Sequence, residues 1–115
     1  MPDTRDLDLK KYGISKWLYR ELRAFCLQYE EKRRRLEFGV TDQKRAKRIL
    51  ADVEAVEQAA FAAGGEQYKA LLYGETHDVR WFFLTQKKGL TCTEREYRQM
   101  RHRFYAELAK NLKKI

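Results

Sequence analysis

Apolar side chains recur every three or four residues along most of the chain, which is the spacing of one face of an α-helix. The longest such run closes the sequence, where its apolar positions are Tyr97, Met100, Phe104, Leu108, Leu112 and Ile115. Thr93 and Glu96 stand three residues apart at its start, which is the capping-box pattern of a helix N-terminus. No glycine or proline interrupts the run, so the pattern predicts one helix over residues 93–115.

Two longer helices are predicted in the first half of the chain. The first begins at Ser15, a good N-cap, and runs to about Phe38, where Gly39 offers a C-terminal stop. The second covers residues 42–63 and has a stripe of small and medium apolar side chains. A short connection between two helices favours antiparallel pairing. We therefore predict a helical hairpin over residues 15–63, preceded by a flexible N-terminal tail over residues 1–14.

Shorter elements are predicted between the hairpin and the last helix. Residues 66–73 form one candidate helix, which Gly74 would end. Residues 78–88 form another, with Phe82 and Phe83 facing inward. The apolar run within this second element is also compatible with a short strand.

The predicted fold class is all-α, with an N-terminal helical hairpin and a C-terminal trihelical unit that resembles a helix-turn-helix. This second unit covers residues 66–115, and the whole chain is expected to form one compact domain because 115 residues support one modest core. No stretch of about 18 apolar residues is present, so no transmembrane helix is expected. The N-terminus lacks the apolar centre of a signal peptide, which favours a cytoplasmic location.

The chain carries 25 basic and 17 acidic residues, a net charge of +8. Residues 15–39 contribute +3 and residues 91–115 contribute +4, whereas residues 40–66 sum to −1. A basic excess of this kind favours polyanionic partners, of which nucleic acid is the commonest. The almost neutral segment between the two basic ones favours a structural or dimerising role for the second helix.

The last predicted helix has the polar residues expected of a helix that contacts DNA bases. In helix-turn-helix proteins the exposed residues near the start of the second helix face base edges in the major groove. The corresponding residues here are Arg95, Arg98, Gln99 and His102. Arginine suits guanine and glutamine suits adenine through paired hydrogen bonds. These four residues are therefore the predicted base contacts.

Other cations are predicted to contact phosphates, which supply affinity without sequence information. They are Lys87, Lys88 and Arg101, together with the consecutive residues Lys32, Arg33, Arg34 and Arg35. The consecutive run also has a structural interpretation, because cations in the last turns of a helix complement its dipole. Both interpretations of the run stay open at this point.

The chain also resembles a group of small phage proteins. The segments Tyr12–Ser15, Tyr19–Leu22 and Phe25–Tyr29 are similar to those of prophage proteins of Gram-positive bacteria, and Ala70–Leu112 resembles a sigma-region-4-type helix-turn-helix. Proteins of this size and layout include ArpU- and RinA-like late-gene transcription regulators. The resemblance implies a DNA-binding transcription regulator in a bacterial host cell. A homodimer through helices 15–38 and 42–63 is expected if its DNA site is palindromic.

Two functions of other classes remain as alternatives. Small phage proteins also inhibit host proteins that process nucleic acid, so a protein or ribonucleoprotein partner, as for anti-CRISPR proteins, is the first. A helical scaffold is the second. We expect no enzyme and no cofactor, because no phosphate-binding loop or catalytic grouping is present.

The cysteines and histidines do not predict a metal site. Cys26, Cys92, His77 and His102 lack the close pair spacing of zinc ligands. Cys92 precedes a helix N-terminus near cations, an environment that is expected to lower the pKa of its thiol.

Overall fold

The computed structural model describes residues 7–115, and every regular element among them is helical. The α-helices are α1 (Lys16–Leu27), α2 (Tyr29–Phe38), α3 (Gln43–Gly64), α4 (Tyr68–His77), α5 (Trp81–Lys87) and α6 (Glu94–Asn111), with 3-10 turns at Lys10–Tyr12 and Gly65–Gln67. The predicted all-α fold class is confirmed. Residues 81–87 form a helix, so the strand alternative for this segment is wrong.

Helix α3 is the centre of the fold, and its first part pairs with α2. Tyr29 Oη donates a hydrogen bond to Glu57, and Lys32 Nζ lies 3.1 Å from Asp52 Oδ2. Residue numbers thus rise along α2 as they fall along α3, so the two helices are antiparallel. The predicted pairing exists, but it involves only α2.

The second half of α3 packs against α6, again antiparallel. Asn111 Nδ2 donates to the Ala55 carbonyl at 3.1 Å, and the side chain of Met100 lies against Gly64. The inner faces bury Val56, Ala59 and Ala60 of α3. Small side chains at these positions let the two helices approach closely. The hairpin and the C-terminal helices therefore share one core.

The first predicted helix is divided in two at Gln28. The backbone at this residue departs from α-helical geometry, and its N–H reaches back to Phe25 O at 3.2 Å, a bond typical of a tightened turn. The bend directs α1 towards α4 and α6 instead of α3. Tyr19 of α1 meets Tyr105 of α6 edge to face, with ring centroids 5.0 Å apart. One continuous helix over residues 15–38 is therefore wrong.

The part of the predicted tail that the structure describes is packed onto the core. Leu9 and Ile14 are buried, and Gly13 between them takes a left-handed conformation with φ of 75°. Glycine is suited to this turn because it has no Cβ. Residues 7–14 are therefore not a loose tail, and residues 1–6 lie outside the described part of the chain.

Two predictions about the short helices are also wrong. Gly74 lies inside α4 instead of ending it, and the helix ends at Asp78, whose φ is 53°. In α5 the buried side chain is Leu84, whereas Phe82 and Phe83 are exposed. The helix has only seven residues, so one buried position anchors it and its aromatic pair remains outside.

Candidate nucleic-acid interface

The turn between α5 and α6 is held at two points. Trp81 Nε1 donates to the Cys92 carbonyl at 2.9 Å, which ties the start of α5 to the end of the turn. Gln67 Oε1 accepts hydrogen bonds from the backbone N–H and the hydroxyl of Thr91. Leu90, which directly precedes Thr91, is buried. The first residue of α6 therefore has a defined position relative to α4 and α5.

Helix α6 begins with the predicted capping box, which the structure confirms. The Thr93 hydroxyl accepts from the Glu96 N–H at 3.1 Å, and the Glu96 carboxylate accepts from the Thr93 N–H at 2.9 Å. The hydrogen bond from the Thr93 backbone lowers the pKa of Glu96, because it favours the ionised carboxylate. This cap defines the direction in which the helix leaves the turn.

One face of the first turns of α6 is open to solvent. Arg95, Arg98 and Gln99 are exposed, and their side chains form no hydrogen bond or ion pair with residues 7–115. Successive helix residues are rotated by about 100°, so these three and His102 lie within roughly a third of the helix circumference. The structure thus brings the four predicted base-contacting residues onto one face.

The other half of α6 does not offer such a face. Ala106 and Ala109 continue the open face along the helix, but both are buried, as is Tyr105 beside them. Contacts with α1 and α3 cover the helix there. The accessible polar face is therefore confined to the N-terminal half of α6.

His102 lies at the edge of this face and is only partly exposed. Its burial, together with the positive charges of Lys11 and Arg101, lowers its pKa below the usual range. The imidazole is therefore neutral at pH 7. A neutral imidazole can donate and accept one hydrogen bond each, but it adds no charge to the surface.

Arg101 points towards the protein interior. Its Nε lies 3.0 Å from both carboxylate oxygens of Glu75, and its Nη2 donates to Tyr19 Oη at 3.2 Å. Burial by itself lowers the pKa of a guanidinium, but the Glu75 carboxylate and the neighbouring tyrosines together outweigh this effect and raise the pKa of Arg101. The side chain is 25% exposed and Glu75 is almost fully buried. Its phosphate contact stays untested, but an internal ion pair occupies the guanidinium.

The same carboxylate binds two tyrosines of α6. Tyr97 Oη and Tyr105 Oη donate to Glu75 at 2.9 and 2.8 Å. Gly74 lets α4 approach this closely, because a Cβ at that position would lie 2.5 Å from Tyr97 Oη. The network thereby attaches α6 to α4 and orients its open face. Sequence reasoning missed Glu75, and the available signal was an acid beside a glycine on an apolar helix face.

The predicted phosphate contacts on α5 are accessible. Lys87 and Lys88 are exposed at the end of the helix, just before the turn to α6. The ammonium of Lys88 lies 3.9 Å from the centre of the Tyr73 ring, a cation–π contact. Both cations are therefore on the surface beside the start of α6.

The basic run of α2 does not form a single group. Lys32 pairs with Asp52 and lies over the Phe25 ring at 3.9 Å, whereas Arg35 pairs with Glu31 at 2.8 Å. The intervening Arg33 and Arg34 are exposed and point elsewhere around the helix.

This run is also distant from the open face of α6. Lys32 lies at the level of Asp52, twelve residues before Gly64, and Gly64 lies beside Met100. At 1.5 Å per residue the two regions are about 18 Å apart along α3. The basic run of α2 therefore lies apart from the open face of α6 and the lysines beside it.

A cleft of about 130 Å³ lies beside the open face. Its lining includes Arg23, Arg98, Arg101, Trp81 and Glu75. Arg23 forms an ion pair with Asp78, so part of its positive charge is neutralised within the protein. The cleft is large enough for a few water molecules or a small anion, and it adjoins Arg98 directly.

Cys26 and Cys92 are free thiols. Burial raises the pKa of both thiols. The expectation of a lowered pKa for Cys92 is therefore wrong. The Cys92 thiol lies 4.0 Å from the sulfur of Met100. Within residues 7–115, no group of three or more histidine, cysteine or acidic side chains is arranged to hold a metal ion.

Comparison with known protein families, curated proteins and solved structures gave no match for this chain. The similarity to phage regulators thus stays a prediction from the sequence pattern. None of the helices in residues 7–115 has the length and apolar character needed to cross a membrane.

Proposed function

We propose that this protein binds double-stranded DNA through α6 and acts as a transcription regulator of phage or prophage type. The observation that carries the proposal is the open face of α6. It presents two arginines and one glutamine without internal partners, on the half of the helix that follows a well-anchored turn.

The dimensions of this face suit the major groove. A helix with its side chains is about 10–12 Å across, which fits the groove width of about 12 Å, and the first ten residues of α6 provide about 15 Å of length along the groove. Arg95 and Arg98 have the paired donors that guanine accepts, and Gln99 can pair with adenine. His102, as a neutral imidazole, contributes a hydrogen bond at the edge of the face. Lys87 and Lys88 would hold phosphates beside it.

The regulator assignment rests on the resemblance of residues 70–112 to a sigma-region-4-type helix-turn-helix. In that motif the second helix contacts the bases, which matches the position of α6 after α5. A homodimer would place two such helices on a palindromic site. We propose in addition that this dimer forms through the helices of residues 15–38 and 42–63.

The test is fluorescence anisotropy of a labelled random-sequence duplex at several salt concentrations, followed by selection of bound sequences from a random pool. The double variant Arg95→Ala and Arg98→Ala should weaken binding tenfold or more at low salt. The matched control is Lys110→Ala with Lys113→Ala, which removes two exposed cations from the other end of the same segment.

Equal affinities for the two double variants would show that the open face of α6 is not the DNA surface. An absence of binding by the wild-type protein at low salt would reject the proposal altogether. The alternative of a protein or ribonucleoprotein partner would then be tested by affinity purification from host cells.

A further inference from the structure

The basic and acidic residues of α3 lie in separate halves of the helix, although its net charge is close to zero. Residues 43–51 contain four cations and no acid, and residues 52–64 contain three acids and no cation. The cations are Lys44, Arg45, Lys47 and Arg48. All four are exposed, in the first two turns of the helix.

This arrangement opposes the stability of the helix. The N-terminal end of a helix has a partial positive charge, so cations there are destabilising and acids are favoured. Asp42 caps the helix by accepting from the backbone N–H groups of Lys44 and Arg45. The four cationic side chains form no ion pair or side-chain hydrogen bond with any described residue. Intramolecular contacts therefore do not account for their presence.

Three of the cations share one face of α3. Lys44, Lys47 and Arg48 are spaced three and four residues apart, which places them side by side on a helix surface. The same face continues to Ala55, where Asn111 at the end of α6 covers it. Since α6 ends there, no helix within residues 7–115 covers the preceding turns of α3 on this side.

We propose that Lys44, Lys47 and Arg48 form a second surface that binds the phosphate backbone of a nucleic-acid duplex. Arg48 lies sixteen residues before Gly64, which sits beside Met100 of α6, so the two surfaces are about 25 Å apart along α3. Three adjacent cations without an internal acid complement a row of phosphates. The inference does not require that α6 contacts bases.

The test compares two triple variants that remove the same charge. The first is Lys44→Gln, Lys47→Gln and Arg48→Gln. The control is Lys16→Gln, Lys69→Gln and Lys110→Gln, three exposed lysines on three other helices. Glutamine retains helix propensity, and removing cations from the start of α3 should leave its thermal stability unchanged or higher.

Binding is measured by anisotropy against salt concentration, with a duplex of about 30 base pairs and one of about 10. The slope of log K against log salt should fall by about 2–3 for the α3 variant on the long duplex, since each lost phosphate contact changes it by about 0.9. The short duplex spans about 34 Å, too little to extend from α6 to the second surface when centred on α6. A loss confined to the long duplex would indicate flanking DNA.

A bead assay distinguishes a second duplex from flanking DNA. An immobilised duplex that carries the protein is offered a second, labelled duplex. The wild-type protein and the control variant should capture this second duplex, whereas the α3 variant should not. The inference is overturned if the α3 variant equals the control in both the salt slope and the capture. Loss of binding in the α3 variant with no effect of Arg95→Ala and Arg98→Ala would support this surface and reject the α6 proposal.

Discussion

Replacement of Gly74 by alanine sets two physical effects against each other in the middle of α4. Helix propensity favours alanine by about 1 kcal/mol at an interior position. The packing opposes it, because the new Cβ would lie 2.5 Å from Tyr97 Oη and 2.9 Å from Leu84 Cδ1. No carbon atom tolerates such distances, so α4 and α6 must separate or Tyr97 must turn away from Glu75.

The expected net effect is destabilisation by about 2–4 kcal/mol. Forcing one extra carbon into a packed core costs about 1–3 kcal/mol. Displacing Tyr97 also weakens its 2.9 Å hydrogen bond to the buried Glu75 carboxylate, and bonds to charged groups contribute about 1.5–3 kcal/mol. The gain in helix propensity offsets only part of these losses.

Urea denaturation followed by circular dichroism would measure the free energy of unfolding of Gly74→Ala. Tyr97→Phe, alone and combined with Gly74→Ala, is the control, because it removes the oxygen that the Cβ would meet. The alanine should cost at least 1 kcal/mol less in the phenylalanine background. A Gly74→Ala protein as stable as the wild type would refute the argument that close approach requires this glycine.

Four further outcomes are expected. Arg101→Ala should lower the free energy of unfolding by about 3–5 kcal/mol, because it leaves the buried Glu75 carboxylate without its cation. In the same urea denaturation, Arg98→Ala should stay within about 0.5 kcal/mol of the wild type. Equal losses of stability in the two variants would contradict the internal pairing of Arg101. Thr93→Ala should cost about 1 kcal/mol in the same assay through the lost cap, and an unchanged midpoint would argue against the capping box. The pKa of His102 is lower in the folded protein than in the unfolded chain, so stability should fall as pH decreases through the ordinary histidine value of about 6.5. His102→Gln should reduce this loss of stability. Thermal-unfolding temperatures of the two proteins that change in parallel with pH would disprove the role of His102. Phe38 is 86% exposed on α2. If the proposed dimer uses this helix, Phe38→Glu should halve the mass measured by light scattering. A dimer of unchanged stability would exclude this side chain from the interface.

Local signals predicted the ends of the helices where capping residues are present. Ser15 accepts a hydrogen bond from the Leu18 N–H, Asp42 caps α3, and Thr93 forms its capping box with Glu96. Such caps involve residues three or fewer positions apart, so a sequence pattern contains them completely. The same reasoning failed at Gln28, because no proline or glycine marks the bend there. The bend accompanies a change of packing partner, since α1 packs on α4 and α6 whereas α2 packs on α3.

The positions of the candidate base contacts were predictable for a related reason. Arg95, Arg98 and Gln99 lie opposite the apolar stripe of α6, and helical periodicity alone places them there. Whether a cation is available to a partner is a different question. Arg101 differs from Arg98 in the structure because Glu75, twenty-six residues earlier, reaches its guanidinium.

The amino-acid sequence alone therefore determined the helical class, the apolar faces and most of the caps, since each depends on residues within a turn or two of one another. Tertiary structure decided which charges are neutralised inside, where Gly74 permits close contact, and how far apart the basic surfaces lie. These depend on which helices meet, and that choice is made by the packing of the whole core, with α3 between α2 and α6.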